Sequence, residues 1–301
     1  MTDHASDIPE DGPLAGLLTA LDLTDTGART SEDISTGPSQ WMPMGRVFGG
    51  QVLAQSLVAA MRTTEADRRP HSMHGYFLRP GDVTKPITFS VDRIHDGRSF
   101  STRRTQAYQD GRPILSMIAS FQDTDEGLEH QAPMPEGIPE PESLPSARDV
   151  LSRIDHPVAA HWANDRPFDM RHVEQPVYFG AAPDRVAHQA VWIRAIGRLP
   201  DDPAVHLASL AYASDYSILE SIYRRHGLSW ATPGIKAASL DHAMWFHRFG
   251  RADEWMLYVQ ESTSAQGGRG LSLGRIYSRD GVLLASVAQE GMVRVPAQPR
   301  D

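Results

Sequence analysis

Cysteine is absent from the 301 residues. That excludes disulfides, thiolate metal sites and a cysteine nucleophile. Long apolar runs are missing too: none approaches the roughly 18 residues that a membrane-spanning helix needs. No long basic run offsets the net charge of −9. Sequence-independent nucleic-acid binding is therefore not expected, because phosphate neutralisation needs clustered Lys and Arg. Neither Gly-x-Gly-x-x-Gly nor a Walker loop is present, so nucleotide phosphates are not held in those ways. Residues 1–12 are polar and acidic, lack the layout of a signal peptide and read as a disordered tail. Gln298-Pro299-Arg300-Asp301 carries no lipidation or peroxisomal ending. The expectation is a cytoplasmic protein with no membrane insertion and no nucleic-acid partner.

With 40% hydrophobic residues, the chain can bury a core and has room for one large domain or two average ones. Internal echoes favour two. His71-Ser72-Met73-His74 resembles His242-Ala243-Met244-Trp245, and Gly97-Arg98-Ser99 resembles Gly268-Arg269-Gly270, 171 positions on. Asp110-Gly111-Arg112-Pro113-Ile114-Leu115 resembles Asp280-Gly281-Val282-Leu283-Leu284, 170 positions on. Three echoes in one order at nearly one spacing describe a small fold written twice.

The nearly uncharged run 52–61 follows Gly49-Gly50-Gln51 and has apolar residues at helical spacing. It reads as a buried helix whose N-terminus can approach another backbone closely. Strands are predicted over 72–78, 87–94, 100–108 and 113–122, with Asp110-Gly111 as a hairpin turn. Five prolines between Pro133 and Pro145 mark a connector, with a possible helix over 147–154. Beyond Phe168 the order recurs: a strand over 188–197, helices over 205–212 and 215–225, then strands over 237–248, 255–262, 270–277 and 282–293. The predicted units are 13–123 and 168–295, with 124–167 as linker. Helix followed by antiparallel strands makes each an α+β unit.

Two apparent motifs are set aside. Gly270-Leu271-Ser272-Leu273-Gly274 matches a serine nucleophile elbow, but its flanks read as strand and no histidine follows His247. His71/His74 and His242/His247 lack a metal-ligand register with a third ligand, so no metal is expected. Gln289 ends the alternating set Leu283, Ala285, Val287, where the repeat places Ala119. A buried glutamine there needs partners for donor and acceptor alike; a half-solvated strand end is the plain alternative. Asp215 has the position of a helix N-cap, with capping-box spacing from Ser217 to Glu220. Ser239 is a hydroxyl in an apolar strand, expected on the same face as Asp241.

The motifs Arg46-Val47-Phe48-Gly49-Gly50-Gln51-Val52, Tyr76-Phe77-Leu78-Arg79-Pro80-Gly81-Asp82, Val191-Trp192-Ile193-Arg194-Ala195, Tyr212-Ala213-Ser214-Asp215, Asp241-His242-Ala243-Met244-Trp245-Phe246-His247 and Gln289-Glu290-Gly291 together resemble the TesB-type acyl-CoA thioesterase II family. The resemblance implies a double hotdog, two tandem units each with a long helix wrapped by a curved antiparallel sheet. It also implies hydrolysis of fatty acyl-CoA to free acid and CoA without a cofactor, in a homodimer or homotetramer. It makes Asp215, Ser239 and Gln289 the catalytic residues, holding a water between them; many bacterial relatives carry Thr where this chain has Ser239. Gly49 and Gly50 become candidates for contact with the thioester oxygen. Arg98 and Arg269, with Arg79, Lys85, Arg103 and Arg104, become candidates for the CoA phosphates. The acyl chain is expected along the helix at 52–61. A hydratase or dehydratase, or a non-catalytic acyl-CoA binding protein, on the same fold is the alternative.

Overall fold

The computed structural model describes residues 11–28 and 30–296. Residues 1–10 of the expected tail, and the C-terminal four residues discussed above, lie outside the described residues. Leu14, Leu17 and Leu21 recur at helical spacing behind Pro13 and are buried, giving α1 (Pro13–Leu21). Two short strands follow, β1 (Thr24–Asp25) and β2 (Asp33–Gly37). Helix α2 (Gly49–Met61) comes next, buried from Gly50 to Ala60. Its two inward glutamines are satisfied by backbone carbonyls: Gln51 Nε2 donates to Pro38 O at 2.8 Å and Gln55 Nε2 to Ala20 O, at the end of α1, at 2.9 Å. Four strands wrap this helix: β3 (Arg69–Phe77), β4 (Ile87–Asp96), β5 (Phe100–Gln109) and β6 (Arg112–Gln122). Asp110 and Gly111 both take positive φ, 50° and 70°, the conformation of a tight hairpin turn.

The Pro-rich connector is more structured than its composition suggests. It carries α3 (Ala147–Leu151), opened by a Ser146/Asp149 capping box, and α4 (Pro157–Asn164). Beyond it lie β7 (Phe168–His172), β8 (His188–Ala195), α5 (Pro203–Ser214) and α6 (Glu220–His226). Then come β9 (Lys236–Ser239), β10 (Asp241–Phe246), β11 (Met256–Gln266), β12 (Arg269–Ser278) and β13 (Leu283–Arg294). Among the described residues no helix is long and apolar enough to cross a membrane.

The strands form one antiparallel sheet in the order β1-β2-β4-β5-β6-β3-β10-β13-β12-β11-β8-β7, with β9 on β13. Outward from the β3–β10 contact the two halves repeat one another, giving a double hotdog. The two halves meet where Met73 lies opposite Met244. The ladder corrects one echo. Ile114 O accepts from Leu78 and Arg79, as Leu284 O accepts from His247 and Arg248. Counting five residues back along each strand from these anchors matches Met73, not His71, with His242. Five residues on from Ile114 and Leu284 stand Ala119 and Gln289.

Glycines set how closely helices approach. Gly270, Gly274 and Gly291 face Ile222, Tyr258 and Leu219, whose side chains occupy the space a Cβ would take. The apparent nucleophile elbow at 270–274 is thus mid-strand, and its Ser272 is buried at 3.0 Å from Ser221 Oγ. At the helix pair the approach is backbone to backbone: a Cβ on Gly50 would lie 2.3 Å from Tyr212 O. Gly50→Ala is therefore expected to destabilise the fold by about 1–3 kcal/mol, the usual cost of overpacking. Urea denaturation measures this, and an unchanged midpoint would show that the helices separate without strain.

Candidate active site

The sequence places a helix start at Asp215; the chain folds differently there. Asp215 is the residue after α5, with φ −89° and ψ −7°, and α6 begins only at Glu220. Between them Tyr216 N–H donates to Ala213 O and Glu220 N–H to Ser217 O. Glu220 does not act as a capping side chain. Its carboxylate is buried, accepting from Trp230 Nε1 at 2.9 Å and Gln189 Nε2 at 2.8 Å, with His172 Nε2 at 3.0 Å. Asp215 therefore stands at the break between two helices, facing the first turn of α2. A Cβ on Gly49 would fall 2.6 Å from its Oδ2.

Three elements converge on this carboxylate. Gln289 of β13 donates Nε2–H to Asp215 Oδ1 at 3.0 Å, and Ser239 at the end of β9 donates its hydroxyl to the same oxygen at 3.2 Å. Gln289 Nε2 also donates to Ser239 Oγ at 2.9 Å. The three residues singled out in the sequence thus touch one another in space, and Gln289 is 1% exposed, not a half-solvated strand end. Gly49 and Gly50 adjoin them at the start of α2. Its N-cap, Phe48, offers no side-chain hydrogen bond, and the helix's backbone bonds begin only with Gln51 N–H. The positive end of the helix therefore faces the site.

A bulge aims the side chains. Ser239 lies opposite Gly291, while Ala243 lies opposite Ala288. Four residues on one strand thus span three on its partner, an extra residue at the β9–β10 join. In a regular strand residues three apart face opposite ways. Here Ser239 and His242 both reach Gln289: Ser239 through Nε2, and His242 Nδ1 through Oε1. Asp241, expected beside Ser239, turns to the ladder and accepts Glu290 N–H at 2.7 Å.

Burial drives the electrostatics. Enclosure raises the Asp215 carboxyl to about 6, partly offset by the donors Gln289, Ser239 and the Gly50 N–H. Burial also pushes the His242 imidazole down to about 4, so it is neutral near pH 7. Tyr216, stacked on Phe48 with ring centroids 4.8 Å apart, is raised to about 12 and keeps its proton.

Asp215, Ser239 and Gly49 open onto a cavity of about 600 Å³. Its apolar walls are Phe48, Tyr212, Tyr216, Leu219 and Trp230, with Trp41 and Met44 at exposed positions. None of residues 52–61 lines it; Val58 and Met61 border a second cavity instead, with Leu18, Leu21 and Val205. The linker supplies a wall that composition did not reveal: His161, Trp162, Asp165 and Arg166. The Arg166 guanidinium lies over the rings of Trp162 at 4.8 Å and Tyr216 at 4.9 Å. The arginines named from the sequence lie apart from this cavity. Arg98 sits in the β4–β5 turn, where its carbonyl accepts from Arg68, and Arg269 pairs with Glu290 at 3.0 Å. Neither lines the cavity, nor do Arg79, Lys85, Arg103 or Arg104; its two lining arginines are Arg46 and Arg166.

Comparison with known proteins adds the following. Residues 38–122 match the family model for the acyl-CoA thioesterase N-terminal domain, and 160–292 match that for acyl-CoA thioesterase. Acyl-CoA thioesterase 2 of Haemophilus influenzae is 38% identical over 267 residues, 87% of this chain and 92% of the relative. Human acyl-coenzyme A thioesterase 8 is 38% identical over 279 residues, 89% of this chain and 86% of the relative. The crystal structure of acyl-CoA thioesterase II TesB2 from Mycobacterium marinum is similar with a TM-score of 0.76 at 40% identity, covering 93% of this chain and 99% of that one.

A buried carboxylate raised from 3.8 to about 6 is a stability liability. Below its unfolded pKa the group is neutral in both states. As pH climbs through the interval from 3.8 to about 6, the unfolded chain ionises first and folding weakens; above it the full penalty holds. Asp215→Asn removes the charge and is expected to stabilise the fold at pH 7 by about 1–3 kcal/mol, with roughly 3 the ceiling set by the shift. The gain should shrink to a small remainder near pH 4. Denaturation of both proteins at the two pH values measures this; equal stability at pH 7 would mean that the carboxylate is adequately solvated.

Proposed function

This chain belongs to the acyl-CoA thioesterase family, and on that footing we propose that it hydrolyses fatty acyl-CoA to free fatty acid and CoA, with Asp215 as general base. The observation that carries the proposal is the convergence of Asp215, Ser239 and Gln289 beside an open helix N-terminus at the end of an apolar cavity. A thioester carbonyl is electrophilic enough to be attacked by a positioned water. Asp215 takes that water's proton. Its raised pKa, to about 6, makes it a stronger base than a solvated aspartate while leaving it ionised at pH 7. Ser239, which gives its hydrogen to Asp215, keeps a lone pair to accept from the water, and Gln289 fixes Asp215 and Ser239 relative to each other. The positive end of α2 at Gly49 and Gly50, where the Gly50 N–H faces Asp215, favours the negative charge that grows on the thioester oxygen. Water's oxygen forms the new C–O bond, the C–S bond breaks, and the proton on Asp215 passes to the departing thiolate.

The cavity suits an acyl chain better than a polar ligand, because aromatic and aliphatic side chains dominate its walls. Arg46 and Arg166 are the two arginines lining it, which makes them the first to test for contact with CoA phosphates. A homodimer or homotetramer, proposed from the family resemblance, and the unit boundaries at 13–123 and 168–295 stay part of the same reading.

Thiol release from palmitoyl-CoA, followed with a thiol reagent, tests the proposal; no release above the spontaneous rate across chain lengths would overturn it. Asp215→Asn is expected to lower kcat by about 10²–10⁴-fold while the protein stays folded. The wild-type rate should fall on acidification with an apparent pKa of about 6, as Asp215 becomes protonated. Ser239→Thr should keep most activity and Ser239→Ala should not. Equal rates in wild type and both variants would remove Ser239 from the site.

A further inference from the structure

The thioesterase reading uses Gln289 as a donor, but an amide can face either way. Its oxygen and nitrogen sides are nearly equal in shape, and only hydrogen bonding distinguishes them. Turned over, Gln289 would aim Oε1 at the ionised Asp215 and offer it no donor. We propose that His242 is the positioning residue that prevents this. In its neutral Nδ1–H form it donates to Gln289 Oε1 and leaves the whole amide NH2 for Asp215 and Ser239.

The geometry selects one proton arrangement. His242 is fully buried and meets a partner at each ring nitrogen: Nδ1 contacts Gln289 Oε1, and Nε2 lies 2.9 Å from Ser214 Oγ. Gln289 Nε2 is committed to Asp215 at 3.0 Å and Ser239 at 2.9 Å. The oxygen facing Nδ1 can only accept, so Nδ1 carries the hydrogen. A neutral imidazole has one such hydrogen, so Nε2 must accept, and its donor is the Ser214 hydroxyl. Ala211 O, 2.8 Å from that hydroxyl, is the competing acceptor. If Ser214 turned to it, the Nε2–H form of His242 would be favoured and the amide would invert. His242 on β10 thus acts two hydrogen bonds away from Asp215, and Ser214 on the last turn of α5 three.

The charged and titratable neighbours are few. From α5 the packed group is the Ser214 hydroxyl, and Tyr258 of β11 donates to Ser214 O at 3.0 Å. On β3 the residue opposite His242 is Gly75. The Asp241 carboxylate is occupied by Glu290 N–H. The matched position in the first half is Met73 opposite Ala119, where no amide needs orienting.

The inference rests on the proposed reaction, but it has a readout that does not. In wild-type protein labelled with ¹⁵N at histidine, long-range proton–nitrogen spectra should show the His242 hydrogen on Nδ1 and a bare Nε2. A hydrogen on Nε2 would overturn the assignment, whether or not any thioester is hydrolysed. Two variants test the consequence for turnover. His242→Asn places an amide donor near the position of Nδ1; His242→Leu has similar bulk and no donor. His242→Leu should lower kcat by about a hundredfold, the scale of a misplaced catalytic group, with KM nearly unchanged. It should also move the acid limb of kcat to higher pH, because the Asp215 carboxylate loses its amide donor. His242→Asn should restore the limb and most of the rate. Wild-type kcat and limb in His242→Leu, or an equal loss in both variants, would make His242 a packing residue only. If His242→Leu does not fold, the spectrum and His242→Asn decide. If wild type releases no thiol from any acyl-CoA, the proposed reaction fails and the spectrum still judges the tautomer.

Discussion

The first turn of α2 can touch the end of α5 only because Gly49 and Gly50 have no side chains. That contact brings the helix N-terminus of one half of the chain against a carboxylate from the other, which takes up the Gly50 N–H. Asp215 is consequently removed from water and surrounded by N–H and O–H donors, not counter-charges. Its elevated pKa follows from that enclosure. A salt bridge in the same place would have lowered the pKa instead. The fold thus holds a destabilising group, which is common where chemistry is done.

The second constraint is the extra residue between β9 and β10. Without it, Ser239 and His242 would face opposite sides of the sheet, and Gln289 would have a partner at one end only. With it, one glutamine is gripped at both ends, by His242 at the carbonyl and by Asp215 and Ser239 at the amide nitrogen. The bulge costs little in pairing, since Leu240 N–H still donates to Glu290 O and Leu240 O still accepts from Phe77 N–H.

Much of the fold was legible in the sequence. Gln109-Asp110-Gly111 and Asp280-Gly281 marked matching hairpins, and the uncharged run after Gly49-Gly50 marked a buried helix. Asp215, Ser239 and Gln289 were named through a resemblance; spacing alone left Asp215 as a cap and Gln289 undecided. Four features escaped, each for a physical reason. A one-residue bulge leaves no trace in composition, so Ser239 was grouped with Asp241 instead of His242. The Ser217–Glu220 spacing suits a capping box, but Glu220 is taken by His172, Gln189 and Trp230. Positive charge says nothing of direction, so the sequence does not show that Arg46 and Arg166 line the cavity while Arg98 and Arg269 lie apart from it. Prolines identify a connector without saying that its far end, with Trp162 and Arg166, folds back as a cavity wall.

The pairing of Met73 with Ala119 at the place where the other half carries His242 and Gln289 has a consequence for design freedom. In a twofold dimer of identical chains, each substitution is made twice, and two equal sites must be kept or lost together. Joining the copies in one polypeptide releases that bond. One copy can exchange its polar pair for apolar packing, relieving the core of a buried amide, while the other keeps its reactive centre. The doubled chain can hold a polar pair in one half and apolar packing at the matching place in the other, which a symmetric dimer could not.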